Sequence, residues 1–168
     1  MKHLHSYWRI EYVKAPKKEG EFANPFLEIP KNPEDRAVHI VHRGELTYIV
    51  LNKFPYSPGH LLVVPYREVA TLEALTTQER TELMDHLVLG QSLLEESVQP
   101  HGFNIGFNIG SAAGAGIPRH LHAHIVPRWD GDTNFMPVLG ETRVLPDSMD
   151  RMWEKLHETA QQLSSRNA

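Results

Sequence analysis

Three histidines at every second position, His120, His122 and His124 in the stretch HLHAHIV, are the densest concentration of chemistry in this chain. Leu121, Ala123 and Ile125 alternate with them, which is the polar and apolar alternation of a half-buried strand. On one strand face the row would span about 13 Å, close to the length of a short polyphosphate. Three chemistries use imidazoles so arranged. A metal site needs them to converge on one ion; neighbours two apart can do this, but the outer pair is too widely separated to share it. Nucleophilic attack on phosphorus fits the row better, with the central imidazole attacking while its neighbours donate to the phosphoryl oxygens. The third chemistry is anion binding without turnover.

Composition narrows the setting. The 168 residues suit a single domain with its own core. Cysteine is absent, which removes disulfides, thiolate zinc ligands and thiol nucleophiles together. Seventeen Lys plus Arg stand against 21 Asp plus Glu, for a net charge of -4. That balance argues against nucleic acid as a partner, yet a few local donors still hold a small anion. Neither a signal-peptide core nor a membrane span is legible, so the expectation is a cytoplasmic protein away from membranes.

The elements that must position the histidines follow from pattern. Residues 1–35 read as an N-terminal extension with a short helix or turn, then a loop in which Pro25, Pro30 and Pro33 break regular structure. The core, 36–129, begins with a hairpin: AVHIVHR (37–43), a turn at Gly44-Glu45, and LTYIVLNK (46–53). FPYSPG then leads into HLLVVPY (60–66), whose apolar run at 61–64 suits a strand buried on both faces. Thr76 with Glu79 has capping-box spacing and opens a helix running to about Ser97. Leu83, Met84, Leu87, Val88 and Leu94 form its core stripe, and His86 on it reads as surface or packing. Pro100 and Gly102 end that helix. A strand carrying Phe103, Ile105, Phe107 and Ile109 on one face and Asn104, Gly106 and Asn108 on the other follows. The small-residue loop SAAGAGIPR precedes the histidines and matches neither a P-loop nor GxGxxG. The last part, 130–168, is an irregular segment over 134–146 and a helix capped by Asp147, with Met149, Trp153, Leu156, Ala160 and Leu163 on one face.

HLHAHIV, together with LNKFPYSPGHLLVVPYREV (51–69) upstream, resembles the paired signatures of the histidine triad (HIT) superfamily of nucleotidyl hydrolases and transferases. The N-terminal WRIEYV and the tail PRWDGDTNFMPVLGETRVLP look like its bacterial branch related to diadenosine tetraphosphate phosphorylases. The resemblance implies an α+β, HIT-like fold: an antiparallel sheet of about five strands with the long helix across it and the C-terminal helix beside it. It implies that His122 is the nucleophile at the α-phosphorus and forms a nucleotidyl-histidine. His120 and His124 would flank it, one orienting it through its backbone and both helping to bind phosphate. His60 would be the fourth histidine, and Asn52 would meet the ribose. Asn108, with the loop Gly110, Ser111, Gly114, Ala115 and Gly116, would cradle the phosphates.

The expected activity is cleavage of a dinucleoside polyphosphate, diadenosine tetraphosphate first among them, with inorganic phosphate favoured over water as acceptor. Hydrolysis of such compounds or of nucleoside phosphoramidates is the alternative. A nucleotide-binding or interaction module with little turnover and a histidine metalloenzyme are readings of other classes. No metal is required at the nucleophile, Mg²⁺ can accompany the polyphosphate, and the chain is expected to pair as a homodimer. Two departures from the family pattern stand out. Gly116 and Ile117 occupy places where relatives carry a Gln and a Ser that assists the leaving group, leaving Ser111 or the backbone to serve. Asn24 and Leu27 occupy the places of a zinc-binding Cys-x-x-Cys, so that site is expected to be missing, with Phe26 and Ile29 holding the loop by packing.

Overall fold

The computed structural model describes residues 24–132 and 148–166. The readings for residues 1–20, for 134–146 and for Asp147 as a cap lie outside them. Five strands, β1 (Ile40–Arg43), β2 (Thr47–Leu51), β3 (Leu61–Pro65), β4 (Gly102–Phe107) and β5 (Ala123–Arg128), form one antiparallel sheet in the order β1-β2-β3-β5-β4. The sheet gathers strands from both ends of the core, so β5, with the histidines, pairs with β3 on one side and β4 on the other.

Two helices cover one face. The helix α3 (Thr77–Val98) starts where its sequence says: Thr76 and Glu79 close a reciprocal capping box, and Arg67 grips the Glu79 carboxylate. That arginine hydrogen bond, the largest influence, holds the Glu79 carboxyl well down at about 2. Leu83, Leu87, Leu93 and Leu94 meet Ile49, Leu51, Leu61, Val63, Ala123 and Ile125 of the sheet. Each fully buried side chain of this kind contributes roughly 1.5–3 kcal/mol. Gly90 lets the helix come close, since a Cβ there would stand 2.5 Å from Ile125 Cδ1. The helix α4 (Met149–Arg166) adds Met152, Trp153 and Leu156, and the Trp153 indole donates to the Ile40 carbonyl.

Four expectations need correction. Met84 and Val88 are 58% and 60% exposed rather than core, because they lie on the side of α3 that no described element covers. The proline-rich loop is not devoid of helix: α1 (Pro25–Glu28) and a 3-10 turn (Ile29–Lys31) form there, with proline in the first turn, where its missing N–H costs no bond. The first strand starts at Ile40, not 37, because Asp35–Val38 make a helical turn, α2, closed by His39 in the left-handed region. Asp35 holds Arg43, whose other guanidinium nitrogens bind the Pro30 and Asn32 carbonyls. Finally, β5 begins at Ala123, so of the three histidines only His124 is within the strand. On the β4 side the ladder stops there because Ala123 pairs with Phe107, the last residue of β4; on the other side its last partner is Val63 of β3.

Candidate active site

Alternation along the chain settles which way the histidines face. Leu121, Ala123 and Ile125 belong to the core under α3, so His122 and His124 point to the opposite face, shared with Tyr48, Val50, Leu62 and Val64. His60 enters this face from the loop ahead of β3. Gly59, at φ +77°, makes the turn that a side chain would strain. Across the ladder Gly106 stands opposite His124, with nothing among the described residues within 4 Å of where its Cβ would be.

The donors fix the tautomers. Nδ1 of His122 lies 2.8 Å from the His120 carbonyl, which can only accept, so Nδ1 carries the proton and the Nε2 lone pair is left for another partner. Both ring nitrogens of His120 are occupied: Nε2–H donates to the Pro65 carbonyl at 2.8 Å, and Nδ1 accepts from the Asn24 amide at 2.8 Å. The ring of His120, fully buried, therefore offers no donor to a phosphate, contrary to its expected share in phosphate binding, and its carbonyl is what reaches His122.

A second chain of donors runs through the other two histidines. The Tyr56 backbone N–H donates to His60 Nδ1 at 3.0 Å, so His60 carries its proton on Nε2 and donates it to His124 Nδ1 at 2.9 Å. That leaves the His124 proton on Nε2, which is buried and has no hydrogen-bond partner among the described residues. A buried orphan N–H costs roughly 1–3 kcal/mol, and such a group is satisfied by a ligand acceptor. Burial, reinforced by the neighbouring His122, pulls the His124 pKa down to about 4, and burial also lowers those of His122 and His120. All three are neutral at pH 7.

The other expected residues are placed less simply. The Asn52 side-chain oxygen accepts from the Phe54 N–H, and its nitrogen sits 3.3 Å from His60 Nδ1. Asn108 follows the end of β4. In the small-residue loop, the N–H groups of Gly114 and Ala115 close turns on the Ser111 and Gly110 carbonyls, so these two are spent within the loop rather than offered to phosphate. Gly116 is exposed, and Ile117 packs beside the Phe26 cluster.

Three neighbours of the histidines were not legible as site residues. Phe26 packs edge-on to His120 and lies 4.7 Å, centroid to centroid, from His122. Tyr56 covers the other pair, 4.7 Å from His60 and stacked at 5.8 Å on His124. Asn24 reaches His120 from 96 residues away. The Asn-Pro step before a short helix was a usable signal for a cap, and Asn24 does cap α1 through its oxygen to the Phe26 N–H. Asn24 and Leu27 do not fit a zinc ion: an amide already bonded at both ends and an aliphatic side chain supply no ligand set.

The chain is similar to several known proteins. The chain is 41% identical over 152 residues to the "AP-4-A phosphorylase" of Mycobacterium tuberculosis, covering 87% of this chain and 77% of the relative. It is 37% identical over 93 residues to the "Bis(5'-nucleosyl)-tetraphosphatase [asymmetrical]" of Schizosaccharomyces pombe, 55% of this chain and 50% of that protein. Among solved structures, a hypothetical histidine triad nucleotide-binding protein from Sulfolobus tokodaii superposes with a TM-score of 0.68 at 26% identity, over 84% of this chain and 94% of that one. A zinc-bound histidine triad family protein from Mycobacterium smegmatis shares the fold, with a TM-score of 0.69 at 24% identity over 88% and 99% of the two chains. The HIT domain family model matches residues 34–131, more than half of the sequence, and the chain belongs to that family.

Proposed function

We propose that this protein is an enzyme that cleaves dinucleoside polyphosphates, diadenosine tetraphosphate first among them, through a nucleotide bound covalently to His122, and that inorganic phosphate releases the nucleotide. The observation that carries the reading is the Nδ1–H of His122 on the His120 carbonyl, which leaves Nε2 as a neutral nucleophile. Nε2 attacks the α-phosphorus; the N–P bond forms as the bridging P–O bond breaks, and the remaining nucleoside polyphosphate departs with the electron pair. Phosphate oxygen then attacks the same phosphorus, restoring His122 and giving a nucleoside diphosphate. Asn52 is the ribose contact in this reading, and Asn108 with the backbone near Ser111 faces the phosphates.

The donor chain favours a polyphosphate leaving group over an amine. A departing polyphosphate is a stable oxyanion that needs a hydrogen bond, which His124 Nε2–H can give. The amine of a phosphoramidate needs a full proton, and an imidazole with a pKa near 4 has none to spare at neutral pH. The reading requires no metal held by the protein, and Mg²⁺ would enter on the polyphosphate. Phosphate as acceptor rests on the likeness to the M. tuberculosis protein. Incubation of the pure protein with diadenosine tetraphosphate, with and without phosphate, tests it. ADP plus ATP formed only with phosphate supports phosphorolysis, whereas AMP plus ATP formed without it means hydrolysis.

A homodimer is part of the same proposal. Met84 and Val88 on α3 and Ile105 on the edge strand β4 expose apolar surface on the helix-covered side. Light scattering should give twice the mass of the chain.

A further inference from the structure

The nucleophile sits beside a polar clip that no comparison assigns. Asn24 is 4% exposed and engages both its amide oxygen and its amide nitrogen. Its oxygen accepts from the Phe26 N–H at 3.1 Å, which fixes the orientation of the group. Its nitrogen then donates twice, to Glu68 Oε2 at 2.7 Å and to His120 Nδ1 at 2.8 Å. The opposite nitrogen of His120 holds the Pro65 carbonyl, so the imidazole is pinned between two chain segments. The carbonyl of that same His120 is the acceptor that sets the tautomer of His122. Two residues after Asn24, Phe26 closes over His122, and its carbonyl is held in turn by the Tyr48 hydroxyl at 2.8 Å.

We infer that Asn24 is a positioning residue for His122: by donating to the His120 ring it holds the His120 carbonyl against His122 Nδ1, and so keeps the His122 Nε2 lone pair directed into the cleft. The inference rests on the reading of His122 as nucleophile, but its physical content exists in the free protein. It also accounts for how the segment at Asn24 and Leu27 is fastened without metal ligands. The hydrophobic packing expected around Phe26 and Ile29 is present, and the clip adds a polar link from this segment to the triad.

The test separates the two duties of Asn24. Asn24→Ser keeps a good helix-capping oxygen for the Phe26 N–H and is too short to reach His120. Asn24→Asp keeps the oxygen and removes both N–H donors, so it serves as the second variant should the first fail to fold. Imidazole ¹⁵N spectra of the free, full-length protein report the tautomers, and steady-state kinetics on the dinucleotide report the consequence. In the parent, His122 is expected wholly as the Nδ1–H form. In the variants it becomes a mixture of tautomers, and kcat falls about tenfold while KM stays within about twofold. Parent-like spectra with parent-like kcat in a folded variant would make Asn24 a helix cap only and overturn the inference. A tautomer change in the variants of a protein whose parent shows no turnover would support the clip and remove the proposed activity, so the two failures are distinct.

Discussion

The site divides into two halves built from the same residue type and wired in opposite senses. On one side, His120 has both ring nitrogens engaged, and its carbonyl passes order to His122, with Phe26 as the wall. On the other, hydrogen-bond donation runs outward from the Tyr56 N–H through His60 to His124 and ends on an Nε2–H without a described partner, under the ring of Tyr56. The first half ends in a lone pair and the second in a proton. In the proposed function, a phosphoryl group placed between them would meet a nucleophile from one side and a hydrogen-bond donor from the other, which is what transfer at phosphorus requires. Four imidazoles thus differ in tautomer because the groups around them differ, not because their types do.

Substitutions that remove one end should break this contrast most visibly. His122→Ala is expected to lower turnover by roughly 10⁴-fold or more and to abolish any covalent nucleotide, because the other imidazole of that half, His120, has both ring nitrogens engaged. His124→Ala removes the donor and leaves the nucleophile, so adduct formation should slow by about 10²–10³-fold without disappearing. Single-turnover rates on the dinucleotide distinguish the two. His60→Ala should cost less, about tenfold, since His124 keeps its place in β5 and loses only the partner that sets its tautomer; the same rates, with ¹⁵N spectra of His124, check it.

The mildest prediction concerns pH. Folding holds His124 neutral, chiefly by burial, with its pKa lowered from 6.5 to about 4. The unfolded chain therefore takes up the proton first as pH falls. The stabilisation is fully present above about pH 6.5 and is lost progressively toward about pH 4. His120, His122, His42 and His86 shift in the same direction, so urea titrations at pH 7.5, 6 and 5 should show a steady loss of stability. His124→Asn should make that slope shallower, and an unchanged slope would mean that burial of this imidazole is not what the fold resists.

How much of this was legible in the chain depended on whether the signal was local. The capping box at Thr76 and the apolar faces of β3 and α4 are set by neighbours a few residues apart, and pattern finds them. Met84 and Val88 show the limit of the same method: periodicity says that a helix has an apolar side but not how wide a stripe its neighbours will cover. The alternation of HLHAHIV correctly separates the core residues from the histidines, although the paired strand begins only at Ala123. What alternation cannot supply is the state of each ring. That depends on the Pro65 carbonyl, His60 and Asn24, which are brought to the row by the fold from 55, 64 and 96 residues away along the chain.

The central claim is that the two halves converge on a nucleotide attached at His122 Nε2. The direct measurement is mass spectrometry on protein mixed with diadenosine tetraphosphate in phosphate-free buffer and quenched in alkaline denaturant, where a phosphoramidate survives. The account predicts an adenylyl group on the peptide carrying His122, released when phosphate is added before the quench. Turnover with no adduct under these conditions, or an adduct that persists in His122→Ala, would contradict it.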